Sequence, residues 1–221
     1  MRLLSRLTLL ALILNSYTCF ARPMKERVES ASDIIVNRQT SLVPISNWVI
    51  DKTKCIAALR IVKAGFIWGG QGSTGLVSCR TADNQWSAGS FLQVSGVTFG
   101  FQIGVQFLES VVLFITDMAR NILDRPSFQM GGDVSVAAGP VGAGGGAGVM
   151  PTGDLLHYQR SVGLYAGATI NGLVISHLNR YNREAFEKDI EPKEILQISG
   201  EKSPDALRPF FETLEKYFPI Y

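Results

Sequence analysis

Three cysteines and two histidines are all that 221 residues offer for metal or thiol chemistry. No H-E-x-x-H arrangement, G-x-S-x-G elbow or Walker-type Gly-Lys-Ser/Thr occurs, so the zinc-protease, α/β-hydrolase and P-loop signatures are missing. Strong charge is missing too: 21 basic residues face 19 acidic ones. A chain so nearly neutral gives no general basis for nucleic-acid binding. With 46% hydrophobic and 18% charged residues it is not a disordered polyelectrolyte either. After the first 21 residues no stretch has the length and uniform apolarity of a membrane-spanning helix.

Residues 1–21 read as a secretory signal. Arg2 and Arg6 form the charged head, and Leu7 to Leu14 is an apolar run too short to span a bilayer. Cys19-Phe20-Ala21 has the small-x-small form of a cleavage site, which places the cut after Ala21. A lipoprotein reading at Cys19 is the weaker option, because Ser16-Tyr17-Thr18 is a poor lipobox. Cleavage leaves 200 residues with 19 basic and 19 acidic side chains, a suitable size for one domain. Their charge is uneven. Residues 22–80 carry nine basic and four acidic side chains, and residues 184–221 carry five and nine. That gradient fits orientation on an anionic surface, or simply solvated helix faces.

Cys55 and Cys79 are too far apart in sequence for a zinc knuckle. They form a disulfide if their segments lie side by side, or remain two buried thiols.

Twenty-one of the 22 glycines lie between Gly65 and Gly172. The same region alternates. Phe99, Phe101, Ile103, Val105 and Phe107 are separated by small or polar residues, which is the period of a half-buried strand. Val134 and Val136, and Val162 to Ile170, repeat the pattern. Val111 to Ile115 is continuously apolar, as in a strand covered on both faces. Glycines within alternating strands point to a strongly coiled or barrel-like antiparallel sheet. The flanks look helical: 24–40, with Pro23 able to serve as its first residue, then a short amphipathic stretch from Pro44 to Asp51, 179–188, 192–198 and a last helix through Leu207 to Tyr217. The expected fold is therefore α+β. A helical part spans 22–52, a β-rich core 54–173, and a helical end 179–218.

Gly70-Gln71-Gly72-Ser73-Thr74-Gly75 matches G-x-G-x-x-G, but a strand-like segment follows where a dinucleotide site needs a helix. It reads as a hairpin turn. Gly139 to Gly148 reads as a loop. His157 and His177 lack a catalytic setting, and Asp133 and Asp154 fit turns or strand ends. No catalytic residues, metal or cofactor are expected.

Five ordered blocks carry a family resemblance. They are Lys63-Ala64-Gly65-Phe66 with Gly69-Gly70; Trp86-Ser87-Ala88 with Phe91; Gly100 to Gln106; Asp133 to Gly142; and Tyr158 to Gly167. Together these resemble the SYLF lipid-binding domain family over residues 27–198. The resemblance implies a non-catalytic module that binds anionic phospholipid. Members often carry basic residues after the double glycine, where this chain has Gln71 and Thr74. Lipid binding is therefore expected to rest on Lys52, Lys54, Arg60 and Lys63, with Trp48, Phe66 and Trp68 as apolar anchors. The partner implied is an anionic membrane in the periplasm or cell envelope. The alternative is a small outer-membrane β-barrel or structural envelope protein.

Overall fold

The computed structural model describes residues 22–139, 153–162 and 173–219, without the side chains of 64–69, 97–106 and 161–162. The expected signal (1–21), most of the glycine run after Gly139 and the pattern beyond Val162 lie outside those residues.

The fold is α+β. Helices α1 (Met24–Gln39) and α2 (Asn47–Lys52) lead into two 25-residue strands, β1 (Cys55–Cys79) and β2 (Ser90–Phe114). Then come α3 (Asp117–Ile122), β3 (Ser127–Gln129), β4 (Val136–Ala138), β5 (Leu155–Val162) and β6 (Val174–His177). Helices α4 (Asn179–Phe186), α5 (Pro192–Ile195) and α6 (Arg208–Tyr217) close the chain. Among the described residues helices precede and follow the strands, as an α+β fold requires, and α3 lies between β2 and β3. Pro23 stands at the N-cap of α1, one residue before its first turn. Pro209 opens α6 rather than breaking a longer helix, because a first-turn residue needs no N–H partner.

β1 pairs with β2 antiparallel along almost its whole length, with a register shift between Phe66 and Trp68. β2 then pairs on its other edge with β5 near its end and with β6 near its start. A fully extended strand of 25 residues would span roughly 80 Å. Yet Cys55 and Cys79 are joined by a disulfide, with Cα atoms 3.9 Å apart. The Arg80 N–H donates to the Lys54 carbonyl at 2.8 Å. The β1–β2 ribbon therefore doubles back on itself. Counting both halves of each long strand gives eight segments in one curled sheet.

Alternation along the strands separates two cores. Ile56, Ala58, Leu76, Phe91, Val111, Leu113, Leu156 and Tyr158 face α1, α2, α4 and α6. α1 contributes Val28, Ala31, Ile34 and Ile35 to that side, the spacing of one helical stripe. The other face bears Cys55, Ala57, Leu59, Ile61, Val77, Leu92, Val94, Leu108, Val112 and Phe114. Among the described residues no long helix covers this second set, and yet its members are buried. They cover one another, which requires the sheet to curl around them, with α3 and β3 closing the side.

The Gly70–Gly75 motif is not a turn, contrary to its reading in the sequence. It lies inside β1. Gly75 is there because a Cβ would sit 1.9 Å from the Ala58 carbonyl oxygen, where the ribbon halves press together. Among the described residues, the β1–β2 pairing is irregular between Phe66 and Trp68, before the motif.

Candidate functional site

A groove of about 700 Å³ opens at the disulfide end of the ribbon, lined by Asp51, Lys52, Thr53, Lys54, Arg80, Asp117 and Arg120 among others. The end of α2, both ends of β1 and the start of α3 meet there. Four cations face two carboxylates. Lys52 is exposed and makes no ion pair among the described residues. Lys54 Nζ lies 2.6 Å from Asp117 Oδ1, with both side chains in contact with solvent. Such an exposed pair contributes little stability, so the ammonium remains available to a competing anion. Arg120 pairs with Asp124 at 3.0 Å.

Arg80 has a different role. Its Nε donates to the Thr53 carbonyl at 2.8 Å and its Nη2 to the Ile50 carbonyl at 2.9 Å. Its guanidinium lies 4.7 Å over the Trp86 ring. Burial lowers its pKa, and the charges of Asp51 and Glu215 act against that shift. Arg80 thus ties α2 to the strand end and fixes the groove floor.

Only Lys52 and Lys54 of the four expected lysines and arginines meet in this groove. Arg60 lies on the helix-covered face, its Nη2 3.9 Å from Glu109 Oε1. Glu109 also faces Arg160 at 3.8 Å and accepts from Asn37 Nδ2 at 3.3 Å. Lys63 points to the opposite face and is buried. Alternation separates them, because three residues apart in a strand means opposite sides. Trp48 is half-buried and packs against the helix-covered core. Phe66 and Trp68 lie in β1, but their side chains lie outside the described ones. Arg80 and Arg120 escaped sequence reading. Nothing local marks Arg80 as a neighbour of Lys54; the fold-back of β1 makes it one.

The histidines serve the fold. His177 Nε2–H donates to the Leu123 carbonyl at 2.8 Å, leaving Nδ1 to accept from Ser90 Oγ at 3.3 Å. Asn182 anchors the same spot, donating to Ser90 Oγ and accepting from the Phe91 N–H. His157 Nε2 bonds to Ser110 Oγ on the inner face. Burial, then the Lys63 charge, pushes its pKa down to about 4. The unfolded chain therefore binds a proton near pH 6.5 that the folded chain refuses until about pH 4. Stability is full above pH 6.5 and falls as pH drops toward 4, by roughly 3 kcal/mol from this group. Urea titrations at several pH values should show that loss, and His157→Gln should remove most of it. An unchanged slope in the variant would contradict the assignment. Among the described residues, no cluster of His, Cys, Asp and Glu could hold a metal ion.

Comparison with known proteins gives one consistent answer. The profile of the Ysc84 family, described as Las17-binding protein actin regulator, matches residues 95–217. An SH3 domain-containing protein of Schizosaccharomyces pombe is 32% identical over 205 residues, 86% of this chain and 47% of the relative. LAS seventeen-binding protein 3 of Saccharomyces cerevisiae is 31% identical over 173 residues, 76% of this chain and 37% of its own. SH3 domain-containing YSC84-like protein 1 of Homo sapiens is 30% identical over 176 residues, 78% of this chain and 51% of its own. The chain thus spans about half or less of these relatives' length. No solved structure matches.

Proposed function

This chain belongs to the Ysc84 (SYLF) family, and from that membership and its basic groove we propose a non-catalytic module that holds anionic phospholipid at a membrane surface. The groove carries the reading: Lys52, Lys54, Arg80 and Arg120 converge there against two carboxylates. Lys52 and Lys54 capture phosphate headgroups, while Arg80 holds their backbone in place. Each cation near an anionic bilayer contributes about 1 kcal/mol, and the attraction fades within a Debye length. The protein acts in the cell envelope, exported by residues 1–21 and cut after Ala21. The Cys55–Cys79 disulfide supports an oxidising compartment.

The outer-membrane barrel reading fares worse. A membrane barrel turns an apolar outer face to lipid and keeps a polar lumen. Here helices cover one face of the sheet, and the face enclosed by the curl is largely apolar.

Vesicle flotation tests the proposal. The protein should float with vesicles containing 30% phosphatidylglycerol and stay behind with pure phosphatidylcholine. Raising NaCl from 50 to 500 mM should release most of it. Equal flotation on both vesicles, or none on either, would defeat the reading.

A further inference from the structure

We propose that a second groove, between the turn after α1 and the helix-covered face of the sheet, takes a single-chain amphiphile with one negative charge, a fatty acid or a lysophospholipid. It does not depend on the reading of the basic groove. The two grooves share no lining residue. Glu109 of the second groove lies five residues along β2 from Phe114, whose carbonyl accepts from the Lys54 N–H. That is roughly 17 Å of extended strand.

The second groove holds about 700 Å³, within the range of small-molecule sites. Its floor is set by strand register: Glu109 stands opposite Arg160, and Val111 opposite Tyr158. Residues two apart in a strand share a face, so the four side chains lie on one side of the sheet. Asn37 and Arg38 at the end of α1, with Leu42 and Val43 of the turn, form the wall.

Two donors at this site lack an acceptor among the described residues. Tyr158 is 3% exposed, and its buried hydroxyl has no hydrogen-bond partner. The buried Nε of Arg38 has none either, although its guanidinium lies 4.7 Å over the Tyr158 ring. Nη2 of Arg38 donates to the Val43 carbonyl at 2.8 Å. Burial pushes the Tyr158 pKa up to about 12, against the opposite pull of Arg38, so the hydroxyl keeps a proton to donate. Buried donors without acceptors are costly, and a ligand that supplies the acceptor removes the cost.

The charges are unbalanced as well. Arg38 and Arg160 line the groove against one carboxylate, Glu109. Glu109 is already shared, with Asn37 Nδ2 at 3.3 Å, Arg160 at 3.8 Å and Arg60 at 3.9 Å. Charge-assisted hydrogen bonds are about 2.7–2.9 Å, so neither arginine is engaged closely. The Arg160 side chain is 57% exposed and can meet a second anion. One further negative charge neutralises the lining.

Leu42 gives the ligand its other half. It is fully exposed at the rim, beside Ile34, Val43 and Val111. A bare ion would leave that leucine in water, whereas an acyl chain covers it. The head first meets the exposed Arg160, then reaches the enclosed Tyr158 hydroxyl and Arg38 Nε as the turn moves outward.

Isothermal titration calorimetry of the protein tests the site with four probes below their micelle-forming concentrations. They are decanoate, decanoyl-lysophosphatidylglycerol, decyl maltoside and acetate. Decanoate or the lysolipid should bind saturably, and both doing so supports the shared chemistry. Decanoate alone assigns a fatty acid, and the lysolipid alone assigns a phosphodiester head. Decyl maltoside has the chain without the charge, acetate the charge without the chain, and each should bind at least tenfold more weakly. Arg160→Gln and Leu42→Ser alter exposed side chains and should each weaken binding at least fivefold. Tyr158→Phe keeps the ring and should weaken it through the hydroxyl alone. Lys52→Glu with Lys54→Glu should leave this binding intact whatever it does to vesicle flotation, so the two sites stand or fall separately. No saturable binding, or maltoside or acetate binding as tightly as the charged amphiphiles, would overturn the site. So would titrations that the Arg160, Leu42 and Tyr158 variants leave unchanged.

Discussion

Replacing Gly75 with alanine should cost about 3 kcal/mol or more, while the same change at Gly70, in the same motif, should cost almost nothing. A Cβ at Gly75 would lie 1.9 Å from the Ala58 carbonyl oxygen and 2.9 Å from its carbon. Backbone atoms on a packed strand cannot swing aside as a flexible side chain can, so relief requires parting the ribbon halves. Overpacking elsewhere in cores costs about 1–3 kcal/mol, and a backbone clash belongs at or beyond the upper end. At Gly70 a Cβ would meet nothing within 4 Å. Alanine there also removes some freedom from the unfolded chain, which favours folding slightly. Urea denaturation of the two variants and the parent gives the comparison directly. Similar midpoints for Gly75→Ala and Gly70→Ala would contradict the doubled ribbon.

Removing the Cys55–Cys79 disulfide should cost a comparable amount. The bond closes a loop with a sequence separation of 24. Loop-closure entropy assigns roughly 3 kcal/mol to a bridge of that span. Both sulfurs are buried and belong to the inner core, so serine at these positions also places hydroxyls among apolar neighbours. Cys55→Ala with Cys79→Ala isolates the cross-link from that penalty and should still lose about 3 kcal/mol. Thiol titration of the unreduced, denatured protein checks the bond itself. Neither cysteine should react before reduction, as resolved by mass spectrometry of the labelled peptides. Labelling of both would show that the strand ends meet without a cross-link.

These two predictions concern a feature that periodicity reveals only in part. Alternation from Phe99 to Phe107 marks a strand, and the stripe of Val28, Ala31 and Ile35 marks a helix, because each signal is local. The doubling of β1 is not local. It depends on Cys79 and Arg80 returning to Cys55 and Lys54, and a strand pattern is the same whether the strand runs straight or folds back. Gly70 and Gly75 look equivalent in the motif, and only the close approach of Ala58 separates them. The same limit applies to the site. Lys52, Lys54, Arg60 and Lys63 form a basic run on paper. Strand alternation sends Arg60 to Glu109 and Lys63 to the inner face. Arg80 and Arg120 join the groove from distant positions. The family blocks were readable because each is a contiguous run of residues in the sequence. The assembly of the groove was not, because it arises from tertiary pairing.

The measurement that tests the account most directly is flotation of charge-reversal variants on vesicles with 30% phosphatidylglycerol. Lys52→Glu with Lys54→Glu should lower partitioning by at least tenfold, since each cation contributes about 1 kcal/mol and each reversal also adds repulsion. Arg60→Glu with Arg160→Glu removes the same number of cations from the helix-covered face and should have a much smaller effect. Unchanged flotation of the groove variant, or a larger loss in the second pair, would contradict the groove as the membrane-binding surface.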